Sequence, residues 1–153
     1  MDAAIASVEQ FPGLRPVVDF NLAPESPTIL VATVDGQVSD SLAKILELYP
    51  VNIVWVKGLS DARTWLNSQN IAACLCGFWL EDGNYRDLVK QAKREAAEIP
   101  VIIVSTPACA NEYREYLAAM NTGAFDFLCY PYQRLELERV LRLAITTHVR
   151  AAR

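Results

Sequence analysis

The chain has 153 residues, of which 52% are hydrophobic and 21% charged, and its 14 basic and 18 acidic side chains leave a formal net charge of −4. That length fits one domain, which buries roughly 70% of its unfolded surface and needs no covalent staple. The composition excludes a disordered chain, a collagen-like repeat and a disulfide scaffold.

Residues 1–27 hold four of the eight prolines (Pro12, Pro16, Pro24 and Pro27) and show neither helical nor strand period. They are expected to form an N-terminal extension that is flexible or packs on the domain or a partner, with the domain proper over 28–153. From Thr28 a short apolar run and a helical stretch alternate five times. The first run is Ile29–Val34, followed by a helix from about Ser39 with Leu42, Ile45 and Leu46 inward and Pro50 beyond its end. Asn52–Val56 comes next, then a helix that Ser60 is placed to cap, carrying Ala62, Trp65 and Leu66. The third run is Ala72–Phe78. A loop over Glu81–Asn84 follows, and then a helix over Tyr85–Glu98. The fourth is Pro100–Val104, with a long loop and a helix over about Asn111–Asn121. The fifth is Phe125–Cys129, then Pro131 and a helix over about Arg134–Arg150.

Ile29–Val34 and Val101–Val104 are continuously apolar, as strands are when helices cover both faces. Five such units with short connections predict a flavodoxin-like doubly wound α/β domain, (βα)5, with parallel strand order 2-1-3-4-5. Ligands in such folds bind outside the carboxyl ends of the strands. The residues there are Thr33, Val34 and Asp35, then Gly77, Phe78 and Trp79, then Ser105 and Thr106, then Tyr130 and Pro131.

Over residues 28–147 the chain resembles the receiver domains of response regulators, the phospho-accepting modules of two-component signalling. The resemblance rests on Gly77–Asn84, on Val101–Ser105 and on Gly123-Ala124-Phe125-Asp126-Phe127-Leu128-Cys129-Tyr130-Pro131, which is similar to the family's G-A-x-D-[YF]-L-x-K-P segment. It implies a carboxylate after strand three that attacks phosphorus, an acidic pair after strand one on magnesium, and a hydroxyl and a lysine that grip the phosphoryl oxygens. Carried across residue by residue, the acidic pair falls on Thr33 and Val34 with Asp35 beside them. The acceptor falls on Gly77 and the lysine on Tyr130, whose phenol is neutral at pH 7. Only Ser105 keeps its role. The chain is expected to be a pseudo-receiver with no metal, no cofactor and no catalytic residue. Gly77 has two readings: it marks a tight exit from the strand, or it opens space that a neighbour such as Trp79 or Tyr130 fills. Glu81 and Asp82 are expected to cap the third helix rather than form a relocated site.

Other features weigh less. Cys74 and Cys76 read as buried, inert thiols, Cys109 as the one exposed thiol, and the C-x-C spacing with a single His does not make a zinc site. His148 is lone and reads as a packing or terminal residue, and no glycine-rich phosphate loop occurs. Trp55, Trp65 and Trp79 read first as packing residues. Residues 134–153 carry a local +3 against −7 for the remainder. On a helical wheel Arg139, Arg142, Arg150 and Arg153 share one arc with Leu135 and Leu143 on the same side, opposite Leu137, Val140, Leu141 and Ala144. In receivers the fourth helix, fifth strand and fifth helix often form a symmetric dimer. Here Glu112, Glu115 and Asp126 are the candidate acids and Leu135, Arg139, Arg142, Leu143 and Arg150 the candidate partners on the other chain.

The expected function is that of a receiver-like signalling module working through contact with a protein partner, a kinase or an effector, not through aspartyl phosphorylation. With no output domain in view, the effector is expected to be a separate protein. The alternatives are a small-molecule-sensing pseudo-receiver, with Phe78, Trp79 and Tyr130 lining its crevice, and a flavodoxin-like enzyme, for which no catalytic set is assembled. Asn70–Leu80 is about half the ~20 residues a membrane span needs. With Asp2, Glu9 and no early Lys or Arg, the N-terminus is a poor signal peptide. No membrane association, a cytoplasmic location and free thiols are therefore expected. A single basic stripe on an acidic chain makes nucleic acid a poor partner.

Overall fold

A computed structural model describes residues 26–68, 70–94 and 98–152. Among these residues seven strands and five helices follow in chain order: β1 Thr28–Ala32, α1 Gly36–Leu46, β2 Asn52–Val56, α2 Leu59–Ser68, β3 Ile71–Cys76, β4 Trp79–Leu80, β5 Gly83–Asn84, α3 Tyr85–Arg94, β6 Val101–Val104, α4 Glu112–Thr122, β7 Asp126–Leu128 and α5 Arg134–Ala152. The main sheet is parallel with order β2-β1-β3-β6-β7. Counting sheet strands only, this is the flavodoxin-like 2-1-3-4-5 arrangement expected from the apolar runs. Of the proposed N-terminal extension, residues 1–25 lie outside the described residues.

The central strands are buried on both faces, which is why their sequences do not alternate. Leu30, Ala32, Cys74, Cys76, Val101 and Ile103 face α2, α3 and α4, while Ile29, Val31, Leu75, Ile102 and Val104 face α1 and α5. Against the second set α5 lays Leu137, Val140, Leu141 and Ala144, the stripe read from the helical wheel. In the apolar interior Cys74 and Cys76 have their thiols pushed well above the ordinary range by burial.

Three details depart from expectation. Helix α1 starts a turn before Ser39, because Asp35 caps it: Asp35 Oδ1 accepts from the N–H groups of Gln37 (2.8 Å) and Val38 (3.2 Å). The segment after β3 is not a plain loop. Trp79 pairs with Asn84 and Leu80 with Gly83 in a small antiparallel hairpin, with Glu81 and Asp82 at its tip. The exposed thiol is Cys129, and Cys109 is half-buried, because β7 ends at Leu128 and releases the next side chain to the surface. Helix α4 ends as its sequence implies, on Gly123 at φ 109°, a left-handed conformation glycine adopts without strain.

Candidate functional site

The sheet brings Thr33, Gly77, Ser105 and Tyr130 to one crevice at the carboxyl edge. Gly77 sits beside β1, its N–H donating to the Ala32 carbonyl at 2.9 Å. A Cβ placed on it would lie 3.0 Å from Thr33 Oγ1 and 3.5 Å from Thr33 Cβ. Thr33 is itself buried, and its Oγ1 accepts from the Asp35 N–H at 3.1 Å. So the space where a side chain at position 77 would begin is taken by Thr33. This corrects the second reading of Gly77, that Trp79 or Tyr130 fills it. The Trp79 side chain is turned to solvent, 66% exposed, and Tyr130 packs edge-on against Tyr132, ring centroids 5.3 Å apart, on the α1/α5 face. Val34 is exposed, and the Asp35 carboxylate is engaged in capping α1.

Ser105 is fully buried and its hydroxyl is used twice. It donates to Glu112 Oε2 at 2.8 Å and accepts from the Tyr130 N–H at 2.7 Å. The Ser105 carbonyl accepts from the Tyr132 hydroxyl at 2.5 Å. Burial first, then the negative charge of Asp35 and the neighbouring Tyr130, push the Tyr132 phenol well above its ordinary range, so it remains a donor at physiological pH. Glu112, placed by sequence at an interface, is thus drawn into the crevice. Partial burial of its sulfur, with Glu112 nearby, raises Cys129 to about 11. Neither Glu112 as partner to Ser105 nor Tyr132 was legible beforehand. Both contacts depend on how the β6 loop returns past the end of β7, which no periodicity encodes.

The residues present do not fit the magnesium ion that the resemblance implies. Thr33 and Val34 offer no carboxylate where the acidic pair would stand. Among the described residues no group of three or more His, Cys, Asp or Glu side chains is placed to hold a metal. Asp82 is engaged elsewhere: its carboxylate accepts from the backbone N–H groups of Leu59 and Ser60 (3.1 Å for the latter), and these bonds hold its carboxyl below the usual range. It therefore caps α2 from across the fold, not α3 as expected. Helix α3 is capped by Asn84, whose Oδ1 accepts from the N–H groups of Arg86 (2.9 Å) and Asp87 (3.3 Å).

Above the crevice opens a cleft of about 570 Å³ between the end of β1, the Phe78–Trp79 segment and the loop into α4. Phe78 and Trp79 line it, as expected for a ligand crevice, and Tyr130 does not. Phe78 is anchored by ring contacts to Tyr85 (6.2 Å) and Phe127 (6.1 Å).

On α5, Leu135 and Leu143 are exposed, 54% and 41%, and Arg139 is exposed between them. Arg142 lies apart from these: its side chain is only 12% exposed and pairs with Glu138 at 2.8 Å, while Glu138 also takes a hydrogen bond from the Tyr49 hydroxyl at 2.5 Å. The side chains of His148, Arg150 and Arg153 lie outside the described residues. Glu115 and Asp126 are half-buried, and α4 adds exposed Tyr113 and Leu117 to this side. No helix among the described residues is long and apolar enough to cross a membrane.

No family model matches the chain. It is 28% identical over 109 residues to the swarming motility regulation protein RssB of Serratia marcescens, a match covering 71% of this chain and 48% of that protein, so the chain spans about half the length of the curated relative. Among solved structures it is similar to a signal receiver domain of an HD domain-containing protein from Pseudomonas fluorescens (18% identity, 81% of this chain and 98% of that one, TM-score 0.69). It is also similar to the receiver domain of a sensor histidine kinase from Pseudomonas aeruginosa, solved with magnesium in its active-site cleft (20%, 78% and 98%, TM-score 0.66), and to the non-phosphorylated HemR receiver domain of Leptospira biflexa (24%, 79% and 95%, TM-score 0.63). The chain has the fold of the response-regulator receiver domains.

Proposed function

We propose that this chain is a receiver-type module of two-component signalling that takes up no phosphoryl group at the end of β3 and acts through protein contact. The observation that carries this reading is the pairing of Thr33 with Gly77, which leaves no acceptor oxygen and crowds the place where one would begin. The commitment of Ser105 to Glu112 and Tyr130 supports it, since a hydroxyl already donating and accepting inside the protein has to break both bonds to reach a phosphoryl oxygen. The partner is a kinase or effector protein, the location cytoplasmic, and the chain is not an enzyme. Its self-association surface is the α4–β7–α5 side, where Leu135, Arg139 and Leu143 meet Asp126 of a second copy, with Glu115 at the edge toward the cleft that it lines. Arg142 and Glu112 contribute less directly, because each already has a partner within the chain.

The test is a phosphodonor experiment. Wild type and Gly77→Asp are incubated with acetyl phosphate and magnesium, and intact mass is read. Both are expected to stay unmodified, since the metal and lysine positions are also changed. Uptake of one phosphoryl group by the wild type sinks the proposal. A second reading, a small-molecule sensor, is favoured by the open cleft beside the exposed Trp79 indole.

A further inference from the structure

The cleft has a chemistry that narrows what it takes. Its volume, about 570 Å³, is in the range of small-molecule sites. Trp79 supplies a flat apolar wall, 66% exposed, and Val34 at the end of β1 and Ala108 and Ala110 in the loop into α4 supply small apolar surfaces. Burying such surface against a planar ring is favourable and geometrically specific. Charge decides the rest. Arg114 lines the same cleft, and among the described residues its guanidinium makes no hydrogen bond or ion pair; only its backbone N–H is engaged, by Asn111. Two carboxylates also line the cleft. Asp35 is turned to the N–H groups at the start of α1 that it caps, whereas the Glu115 carboxylate has no such partner among the described residues. Arg114 is the one cation of the lining among the described residues, so a single negative charge on the ligand has a partner there, and the two carboxylates repel a second.

We propose that this cleft binds a planar aromatic monocarboxylate, the ring lying on Trp79 and the carboxylate on the Arg114 guanidinium. This rests on the small-molecule-sensor reading and names the ligand class for it. Arg114 is suited to the task because a guanidinium presents paired donors that match a carboxylate edge. Glu115, on the adjacent position of the same helix, excludes dianions such as phosphate esters and dicarboxylates.

The experiment uses the full chain labelled with ¹⁵N, and follows the tryptophan indole N–H signals, Trp79 being assigned from Trp79→Phe. Four probes are titrated to millimolar concentration: indole-3-acetate, indole, tryptamine and phenyl phosphate. Indole-3-acetate is expected to shift the Trp79 signal and bind more tightly than the other three. Arg114→Gln is expected to weaken it about tenfold, the scale of one charge-assisted hydrogen-bonded pair. Glu115→Gln is expected to narrow the gap between indole-3-acetate and phenyl phosphate. Arg94→Gln, exposed in the last turn of α3 and outside the cleft lining, serves as the surface-charge control and is expected to leave binding unchanged. If tryptamine or indole binds as well as the acid, or if Arg114→Gln leaves binding intact, the ligand class is wrong while the sensor reading stands. If no probe moves the Trp79 signal, both fall, and the phosphodonor experiment remains a separate judge of the pseudo-receiver reading.

Discussion

The pairing of Thr33 with Gly77 makes a quantitative demand on a double-mutant cycle. Replacing Gly77 by Ala puts a methyl group 3.0 Å from Thr33 Oγ1, where ordinary contact begins at 3.4 Å. Thr33 has to yield by a few tenths of an ångström. It is buried and tied through Oγ1 to the Asp35 N–H, so yielding strains that bond or the β1 terminus. Overpacking of this kind costs about 1–3 kcal/mol. Against it stands the loss of backbone freedom in the unfolded chain, which favours Ala over Gly by about 0.4–1 kcal/mol at a compatible backbone, and Gly77 does not lie in the left-handed region. The net expectation for Gly77→Ala is a destabilisation of about 1 kcal/mol. Thr33→Ala removes both the obstruction and the acceptor for Asp35, costing about 1 kcal/mol alone. On that background Gly77→Ala changes sign and stabilises by about 0.5 kcal/mol, giving a coupling near 1.5 kcal/mol. Urea denaturation of the four proteins, read at constant slope, measures it. Coupling below about 0.5 kcal/mol, the error of additivity between independent sites, would refute the claim that Thr33 holds this space.

Other consequences are open to direct measurement. Ser105→Ala leaves the buried Tyr130 N–H without its acceptor and Glu112 without its donor, so it is expected to cost about 1–3 kcal/mol in the same denaturation assay; a loss under about 0.5 kcal/mol would mean that neither bond matters. Asp82 has a folded-state carboxyl held low by the Leu59 and Ser60 N–H groups, so its support of α2 is full above the unfolded carboxyl value near ~4 and is lost as pH falls through the lower folded value. Hydrogen exchange at the Leu59 and Ser60 amides, corrected for intrinsic rate, is expected to show protection falling in that acid window and absent throughout in Asp82→Ala; protection independent of pH would count against the cap. For the α4–β7–α5 side, sedimentation at several concentrations is expected to show a dimer that Arg139→Glu weakens by about tenfold or more, and a monomer in both proteins would remove it.

Much of the scaffold was visible in the residues. Asn52–Val56 reads as a strand because β-branched and aromatic residues fill it, and its limits match β2. Leu137, Val140, Leu141 and Ala144 announce the buried face of α5 by spacing alone. The hairpin of β4 and β5 was not visible, since two-residue strands carry no period and their tip, Glu81-Asp82, has the composition of any loop. Asp82 was recognisable as a cap but not of which helix, because its partners lie 22 and 23 residues earlier in the chain. The candidate site divides in the same way. Which residues stand at the carboxyl edge follows from strand order, and strand order follows from the apolar runs. Which side chain occupies the space at Gly77 follows from the β1–β3 register and from the rotamer of Thr33, and the Asp35 N–H holds that rotamer. A linear reading favours the large neighbours Trp79 and Tyr130, yet the smaller residue on the adjacent strand is nearer.

The pattern of replacement in the crevice also has an electrostatic logic. A site that loses only its carboxylates strands a buried cation, and one that loses only its cation strands carboxylates; either costs more than losing the whole set. Here both signs are absent together. Thr33, Val34 and Gly77 stand where acids are implied and Tyr130 where the lysine is, so neither sign is left without a partner. The one retained group, Ser105, has had its donor and acceptor satisfied from inside, by Glu112 and by the Tyr130 backbone. On the proposed reading this crevice is therefore a packed joint between β1, β3, β6 and β7 instead of a switch awaiting charge. A two-state response then has to be driven by something that distinguishes two conformations from outside the joint. The surfaces free to do so are the cleft beside Trp79 and the exposed side of α4 and α5, and both meet the joint through α4, whose first residue, Glu112, holds the Ser105 hydroxyl. A ligand or partner that moves the first turn of α4 reaches Ser105 through a single hydrogen bond.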